Sequence, residues 1–248
     1  MRLVHLDAVG GLAGDMFVAA MLDALPQLRT RVLADVRAVL PAAVATVDLV
    51  AGMSGAIRAL RFKVALQDHA AGLAGYPDIM ARIAAADLAE GTARHAGAIL
   101  TILGQAEAQI HDVPLDSVHF HEIADWDSLA DVVGAGSIVA ALGDALWSVS
   151  ELPRGGGLVR TQHGMLPVPA PATVAILTGY AWRDDGVGGE RVTPTGAAIL
   201  RHLGAVPFVA GARLLVASGT GAGTRDLPGL PNILRALLFE EAAGEAQR

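Results

Sequence analysis

Apolar and polar positions alternate over residues 2–6, which predicts a first strand with Asp7 at its end. A small-residue run follows, Ala8-Val9-Gly10-Gly11-Leu12-Ala13-Gly14-Asp15-Met16. Residues 17–25 then carry the helical period until Pro26 limits it. Residues 28–40 repeat the helical pattern. Residues 44–50 and 57–66 read as two strands of a hairpin turning at Gly52-Met53-Ser54-Gly55. Small and polar positions 68–75 predict an exposed loop. Helical segments are predicted over 76–86 and 88–110, the second with Ile99, Leu100, Ile102, Leu103 and Ala106 on its apolar side. Glu107 and His111, four apart near its end, read as a helix-end pair favoured by the dipole. Pro114 stops that helix.

The second half continues with a helix over 129–142 and a strand over 146–149. Gly155-Gly156-Gly157 after that strand allows either a bulge or close approach of a ligand to backbone. Pro167, Pro169 and Pro171 hold their segment extended until Pro171 opens a helix. Residues 190–193 read as a short strand, and Thr193 and Pro194 as cap and first position of the next helix. A strand over 213–217, a third glycine-rich loop over 219–226 and a last strand over 232–238 complete the pattern. Strand–Gly loop–helix units recur among hairpins. The expected fold class is therefore α/β (or α+β), a mixed sheet with helices and a ligand site at strand C-terminal ends. The expected organisation is one domain over 1–240, with lobes at about 1–113 and 114–240, and a frayed tail over 241–248.

Composition narrows the function classes. The 248 residues are 53% hydrophobic, enough for a sizeable core and permissive of a homo-oligomer. Net charge is -7 without a block of either sign, so no basic footprint points to nucleic acid. No run of about 18 uncharged apolar residues suggests a membrane span. Residues at the N-terminus show none of the regions of a signal peptide, and a cytoplasmic location is expected. The chain has no cysteine, which removes disulfides, thiolate catalysis and Cys-held zinc. Any metal must be held by His, Asp, Glu, backbone or a bound ligand. Lys63, the only lysine, follows no glycine-rich loop, so a Walker A phosphate loop is excluded.

The densest chemistry lies in residues 118–131, which hold His119, His121, Glu122, Asp125, Asp127 and Asp131. In an extended chain His119 and His121 share one face and Glu122 takes the other. Two imidazoles on one face are half of a transition-metal site, although the same spacing describes a plain polar strand face. Asp127 and Asp131 share a helix face. Elsewhere, strand, glycine loop and helix start around Gly10–Gly14 can aim N–H groups at an anion. Asp7 and Asp15 flank that loop and would suit a divalent ion bridging to phosphate. The plain alternative is a tight turn and a helix cap. Thr193 to Gly196 is a second hydroxyl-bearing helix start.

Taken together these stretches resemble the nickel-insertion proteins that mature the nickel-pincer cofactor of lactate racemase. The resemblance rests on Leu6-Asp7 with Gly11-Leu12-Ala13-Gly14-Asp15-Met16, on Val118-His119-Phe120-His121-Glu122, and on Asp127-Ser128 with Asp131-Val132-Val133-Gly134. It continues through His163-Gly164-Met165-Leu166-Pro167-Val168-Pro169-Ala170-Pro171-Ala172-Thr173, Thr193-Pro194-Thr195-Gly196, and Gly221-Ala222-Gly223-Thr224-Arg225-Asp226 leading to Pro231-Asn232. It implies a nucleotide-dependent nickel chelatase, or cyclometallase of the lyase class, that places nickel into a pyridinium bis-thiocarboxylate mononucleotide using CTP with Mg or Mn. The family often has Ser-Gly where this chain has Gly10-Gly11, and Ala124, Asp125 and Trp126 replace small or apolar residues. Longer relatives continue into a second domain implicated in binding CTP. The expectation is an N-terminal module that works with a separate C-terminal-type subunit.

On that resemblance His119 and His121 are the nickel ligands, with Glu122 or Asp127 as a further ligand or as the base that takes the ring C–H proton. His163 is a further ligand candidate. Asp7, Gly11, Gly14, Asp15, Thr193, Thr195 and Gly196 are candidates for binding the mononucleotide precursor at its phosphate. Two other classes stay open: a metal-dependent phosphohydrolase using Asp7 and Asp15, and a non-catalytic module that binds nickel or cofactor and docks to a partner.

Overall fold

The computed structural model describes residues 2–67, 75–120, 126–161, 164–208 and 211–241. In chain order the first half comprises β1 (Leu3–Asp7), α1 (Gly14–Ala24), α2 (Arg29–Val39), β2 (Ala45–Ser54), β3 (Ile57–Leu66), α3 (Tyr76–Ala85) and α4 (Thr92–His111). Next come α5 (Trp126–Leu142), β4 (Leu146–Val149), β5 (Leu152–Pro153), β6 (Leu158–Thr161), β7 (Gly164–Pro167) and α6 (Pro171–Ile176). The remainder is β8 (Trp182–Arg183), α7 (Pro194–Leu203), β9 (Val206–Pro207), β10 (Arg213–Ala222) and β11 (Ile233–Glu241).

Seven strands form one sheet in the order β2-β3-β10-β11-β1-β4-β9, and the fold is α/β. The sheet is mixed. β1 runs antiparallel to β11 and parallel to β4, β4 is parallel to β9, and β3 meets β10 through one parallel bridge at Leu60 and Gly221. β2 and β3 form the hairpin that their alternation predicts, in unbroken register from Ala45↔Leu66 to Ser54↔Ile57.

α1 lies across β3, β10 and β11, and α5 packs among α1, α2, α4 and α7. Being surrounded, α5 is apolar on most sides, and Ala130, Val133, Ala135, Ser137 and Ile138 are fully buried. Close helix crossings explain its glycines: a side chain on Gly136 would begin 2.7 Å from the Ala96 nitrogen. Asp35 of α2 is buried, and its carboxylate accepts the Ala89 N–H and the Thr92 hydroxyl, each at 2.8 Å. It thereby satisfies polar groups at the start of α4.

Three segments differ from the sequence reading. The predicted loop at 219–226 begins inside β10, where Gly219 and Gly221 are strand residues. Side chains there would begin 2.3 Å from the Ala20 oxygen and 2.1 Å from the Met16 oxygen of α1, so the glycines serve close helix-on-sheet contact. The short strand expected at 190–193 reduces to a single bridge, Leu12↔Val192. The segment read as merely extended before Pro171 supplies β7, which pairs antiparallel with β6 in a separate two-stranded sheet.

Candidate functional site

Four helix starts and one helix end, remote in sequence, surround a cavity of about 560 Å³. Ala13, Gly14 and Asp15 contribute the start of α1, and Ser128 and Asp131 the start of α5. Ala170 to Ala172 and Thr193 to Thr195 bring the starts of α6 and α7. Glu107, Ile110 and His111 form the last turn of α4, and the β6–β7 hairpin closes a further wall with Val159, Arg160, Thr161 and Leu166.

Packing explains the convergence. Gly14 opens α1, and a side chain there would begin 2.5 Å from Asp131 Oδ2, so only glycine lets α5 approach. Gly196 is the α7 counterpart: its added carbon would sit 2.5 Å from the Leu12 oxygen. The loop between β1 and α1 is zipped to the segment before α7 by Leu12 N–H donating to Arg191 O at 2.9 Å and Thr193 N–H donating to Leu12 O at 3.1 Å. Thr193 caps α7 by accepting the Gly196 N–H at 3.2 Å.

Arginines secure the loop itself. Arg191 is buried, pairs with Asp185 at 3.0 and 3.1 Å, and donates to the carbonyls of Val9 and Gly10. Arg183 donates to the carbonyls of Ala8 and Val9 at 2.8 and 3.1 Å. The N–H groups of Ala8 and Gly10 are spent on Ser150 Oγ and Ile233 O, at 3.0 and 2.8 Å. The cavity-facing part of the loop is therefore residues 13–15, not the Gly10-Gly11 turn.

Carboxylates dominate the floor. Asp15 accepts its neighbour Met16 N–H at 2.7 Å. Burial raises its pKa, the Met16 bond opposes the rise, and the charge of Asp127 adds to it, leaving the group at about 6. Asp131 keeps some surface towards the cavity but is densely surrounded by protein. Loss of hydration, then the charges of Asp15 and Asp127, push its carboxyl well above the usual range, while the Asp15 N–H draws it back. Asp127 lies at the exposed rim. On the α4 wall, Glu107 Oε2 and His111 Nε2 are 3.3 Å apart.

Of the residues singled out from sequence, Gly14, Asp15, Thr193 and Thr195 meet at this cavity, and Asp127 acts electrostatically on two of its carboxylates. Asp7 does not line it; its carboxylate accepts two bonds from Arg235 across the β1–β11 pair, the one from Nε at 2.9 Å. Gly11 is a contact glycine whose added carbon would meet the Arg191 oxygen at 2.0 Å. His119 is exposed, bridged to Gly75, and not part of the lining. His121, Glu122 and His163 lie outside the described residues. Among the described residues no group of three or more His, Asp or Glu side chains is disposed to hold a metal ion. Also among them, no helix is long and apolar enough to cross a membrane.

The sequence pattern puts Asp131 on a helix face with Asp127, and Glu107 with His111 as a helix-end pair, but assigns none of the three to the site; Arg191, which secures the loop behind it, reads only as part of a short strand. The four-residue spacings Asp127–Asp131 and Glu107–His111 were visible, but spacing alone does not say which way a helix face turns. A second cavity, about 690 Å³, opens beside β4 and β9 with His5, Tyr180, Arg201 and Phe208 in its walls. None of the predicted site residues that are described lines it.

Comparison with known proteins agrees across the chain. The family model described as "Nickel insertion protein" matches residues 4–248. A relative from Pelobacter propionicus, named for nickel insertion, is 42% identical over 240 residues, covering 96% of this chain and 60% of its own length. One from Geotalea uraniireducens, likewise named, is 39% identical over 246 residues, 98% of this chain and 62% of its own. A third from Myxococcus xanthus is 37% identical over 253 residues, with 98% and 63% covered. The chain thus spans about three-fifths of the length of the curated relatives it matches. No solved structure matches it.

Proposed function

Because the chain belongs to the nickel insertion protein family, we propose that it takes part in inserting nickel(II) into a pyridinium bis-thiocarboxylate mononucleotide, with the 560 Å³ cavity as the substrate site. One observation carries the reading. Stretches that bear the family resemblance, at Gly14-Asp15, Ser128 to Asp131, Ala170 to Ala172 and Thr193 to Thr195, are far apart in sequence yet line one cavity.

The α7 start brings the hydroxyl-bearing Thr193 and Thr195 and the Thr195 N–H to the cavity, and these are the groups proposed to meet the phosphate of the mononucleotide. Asp15 and Asp131 are the acidic groups that a cationic ring or a metal ion would meet in the same cavity. Nickel is the cargo. His119 and His121 are its capture ligands, with Glu122 and His163 as further donors, since imidazole suits nickel and no thiolate is present. In the insertion step the ring C–H bond breaks, a carbon–nickel bond forms, and the proton leaves to a carboxylate. Asp15, held at about 6 and influenced by Asp127, is poised to accept it near neutral pH. Nucleotide use, and a separate C-terminal-type subunit that supplies it, belong to the same proposal. The hydrolase alternative loses support because Asp7 is engaged by Arg235 and does not join Asp15 at the cavity.

The test is metal analysis of the untagged chain after nickel loading and gel filtration, followed by an assay for nickel-loaded mononucleotide with CTP and Mg²⁺, with and without a C-terminal-type subunit. Nickel retained through gel filtration by the native chain, a smaller retained amount in the His119→Ala/His121→Ala variant, and product formation together support the reading. No retained nickel, with Mg²⁺-dependent phosphate release instead, overturns it. Retained nickel without product in any combination reduces the chain to a binding module.

A further inference from the structure

We propose that Glu107 and His111 form a second, exchangeable nickel(II) station inside the cavity, where the ion is presented to the incoming ligand. The inference builds on the substrate reading of the cavity, but nickel binding at this pair is measurable without any insertion chemistry.

Geometry carries it. The two groups are one helical turn apart on α4, so their side chains leave the helix on the same face. Both line the cavity. Glu107 Oε2 and His111 Nε2 already face one another at 3.3 Å. Two donors at that separation, each about 2.1 Å from one ion, subtend an angle of roughly 100° at it, within the range of adjacent ligands on a four- or six-coordinate metal. The side chains retain 16% and 34% exposure, which leaves an approach from the cavity while limiting their freedom. No backbone rearrangement is needed to bring them to an ion.

The surroundings favour a cation. The pair occupies the last turn of a helix of 20 residues, and the negative end of a helix dipole stabilises positive charge. The lining also holds the acidic residues Asp15, Asp131 and Glu190, with Arg160 of the hairpin as the opposing charge. An imidazole nitrogen and a carboxylate oxygen are donors that suit nickel(II) in a chain without cysteine. The pair supplies two donors, and the incoming substrate would supply others before the ion leaves the protein. Binding is coordination only: nickel stays in the +2 state, and any proton on His111 leaves to solvent as the ion enters.

The experiment uses the untagged chain carrying His119→Ala/His121→Ala, so that the capture histidines do not mask a second site. Nickel chloride is titrated by calorimetry and by equilibrium dialysis with elemental analysis. In parallel, nickel(II)-induced broadening of histidine ring signals is followed by NMR. The expected result is about one exchangeable nickel per chain, with the His111 ring broadened first, and binding at least about tenfold weaker after Glu107→Gln or His111→Gln. Both substitutions keep side-chain bulk at partly exposed positions, and circular dichroism with thermal melting verifies that each variant folds. Unchanged nickel affinity in folded Glu107→Gln and His111→Gln variants, or broadening that spares His111, overturns the proposal and leaves the pair a helix-end salt bridge. Absence of product in the chain with His119 and His121 intact, with nickel binding at this pair confirmed, would instead count against the insertion reading alone.

Discussion

Replacing Asp15 by Asn tests whether the cavity floor stores electrostatic strain. Asn keeps the oxygen that accepts the Met16 N–H at 2.7 Å and removes only the charge. In the folded chain the Asp15 carboxyl sits at about 6 rather than 3.8, chiefly through burial. Between those values the folded state holds a proton that the unfolded state has released, so stability falls as pH rises through the window. Above it the accumulated penalty is at most about 3 kcal/mol, and roughly 1–3 kcal/mol once solvent at the cavity mouth and coupling to neighbouring carboxylates are allowed for. One effect opposes the gain: a carboxylate in the first turn of α1 is favoured by the helix dipole, by roughly 0.3–1 kcal/mol. Desolvation is the larger, so Asp15→Asn is expected to stabilise the protein at pH 8 and to be close to neutral at pH 4. Urea unfolding at half-unit steps across that range is the assay. A variant no more stable than the native chain at pH 8, or equally stabilised at pH 4, refutes the assignment of Asp15 as a desolvated, charge-strained group.

Three other substitutions probe the scaffold that builds the site. Asp35→Ala strands the Ala89 N–H and the buried Thr92 hydroxyl and is expected to lower unfolding stability by roughly 2–4 kcal/mol in urea titrations. Thr193→Ala removes the α7 cap and is expected to cost about 1 kcal/mol, with Thr193→Ser recovering most of it. Gly14→Ala forces a carbon to within 2.6 Å of Asp131 Cβ, so it is expected to lower the melting temperature and to raise hydrogen exchange first at the starts of α1 and α5.

Much of the fold was legible because its signals are local. The β2–β3 hairpin announced itself through two alternating runs joined by glycine-bearing positions, although β2 runs on through Ser54 and the turn falls at residues 55–56, later than the stretch 52–55 that the pattern marks as the turn. α7 was readable from Thr193 and Pro194, whose cap and fixed φ act within one turn. Gly219 and Gly221 misled for the opposite reason. Glycine favours loops locally, but here the missing side chains admit α1 against β10, a contact made with residues two hundred positions away. The bridge at Val192 likewise depends on Leu12 and has no signature in its own neighbours.

The same division runs through the site. By itself the sequence determined the supply of donors: no cysteine, a His-x-His run, carboxylates at helical spacing, and hydroxyls at a helix start. It also carried the family. Only the tertiary structure decided which of these groups share a cavity. Asp7 and Asp15 flank one loop, yet strand pairing hands Asp7 to Arg235 while α1 turns Asp15 inward. Asp131, which looked like the second member of a helix-face pair, gains its perturbed carboxyl because Gly14 lets α1 close over it. Glu107 and His111 read as an ordinary end-of-helix pair until the packing of α4 on α5, α6 and α7 turned them towards the cavity. Residue type and spacing set what a side chain can donate. Its orientation and its hydration depend on long-range packing, which is where the chemistry of this cavity is decided.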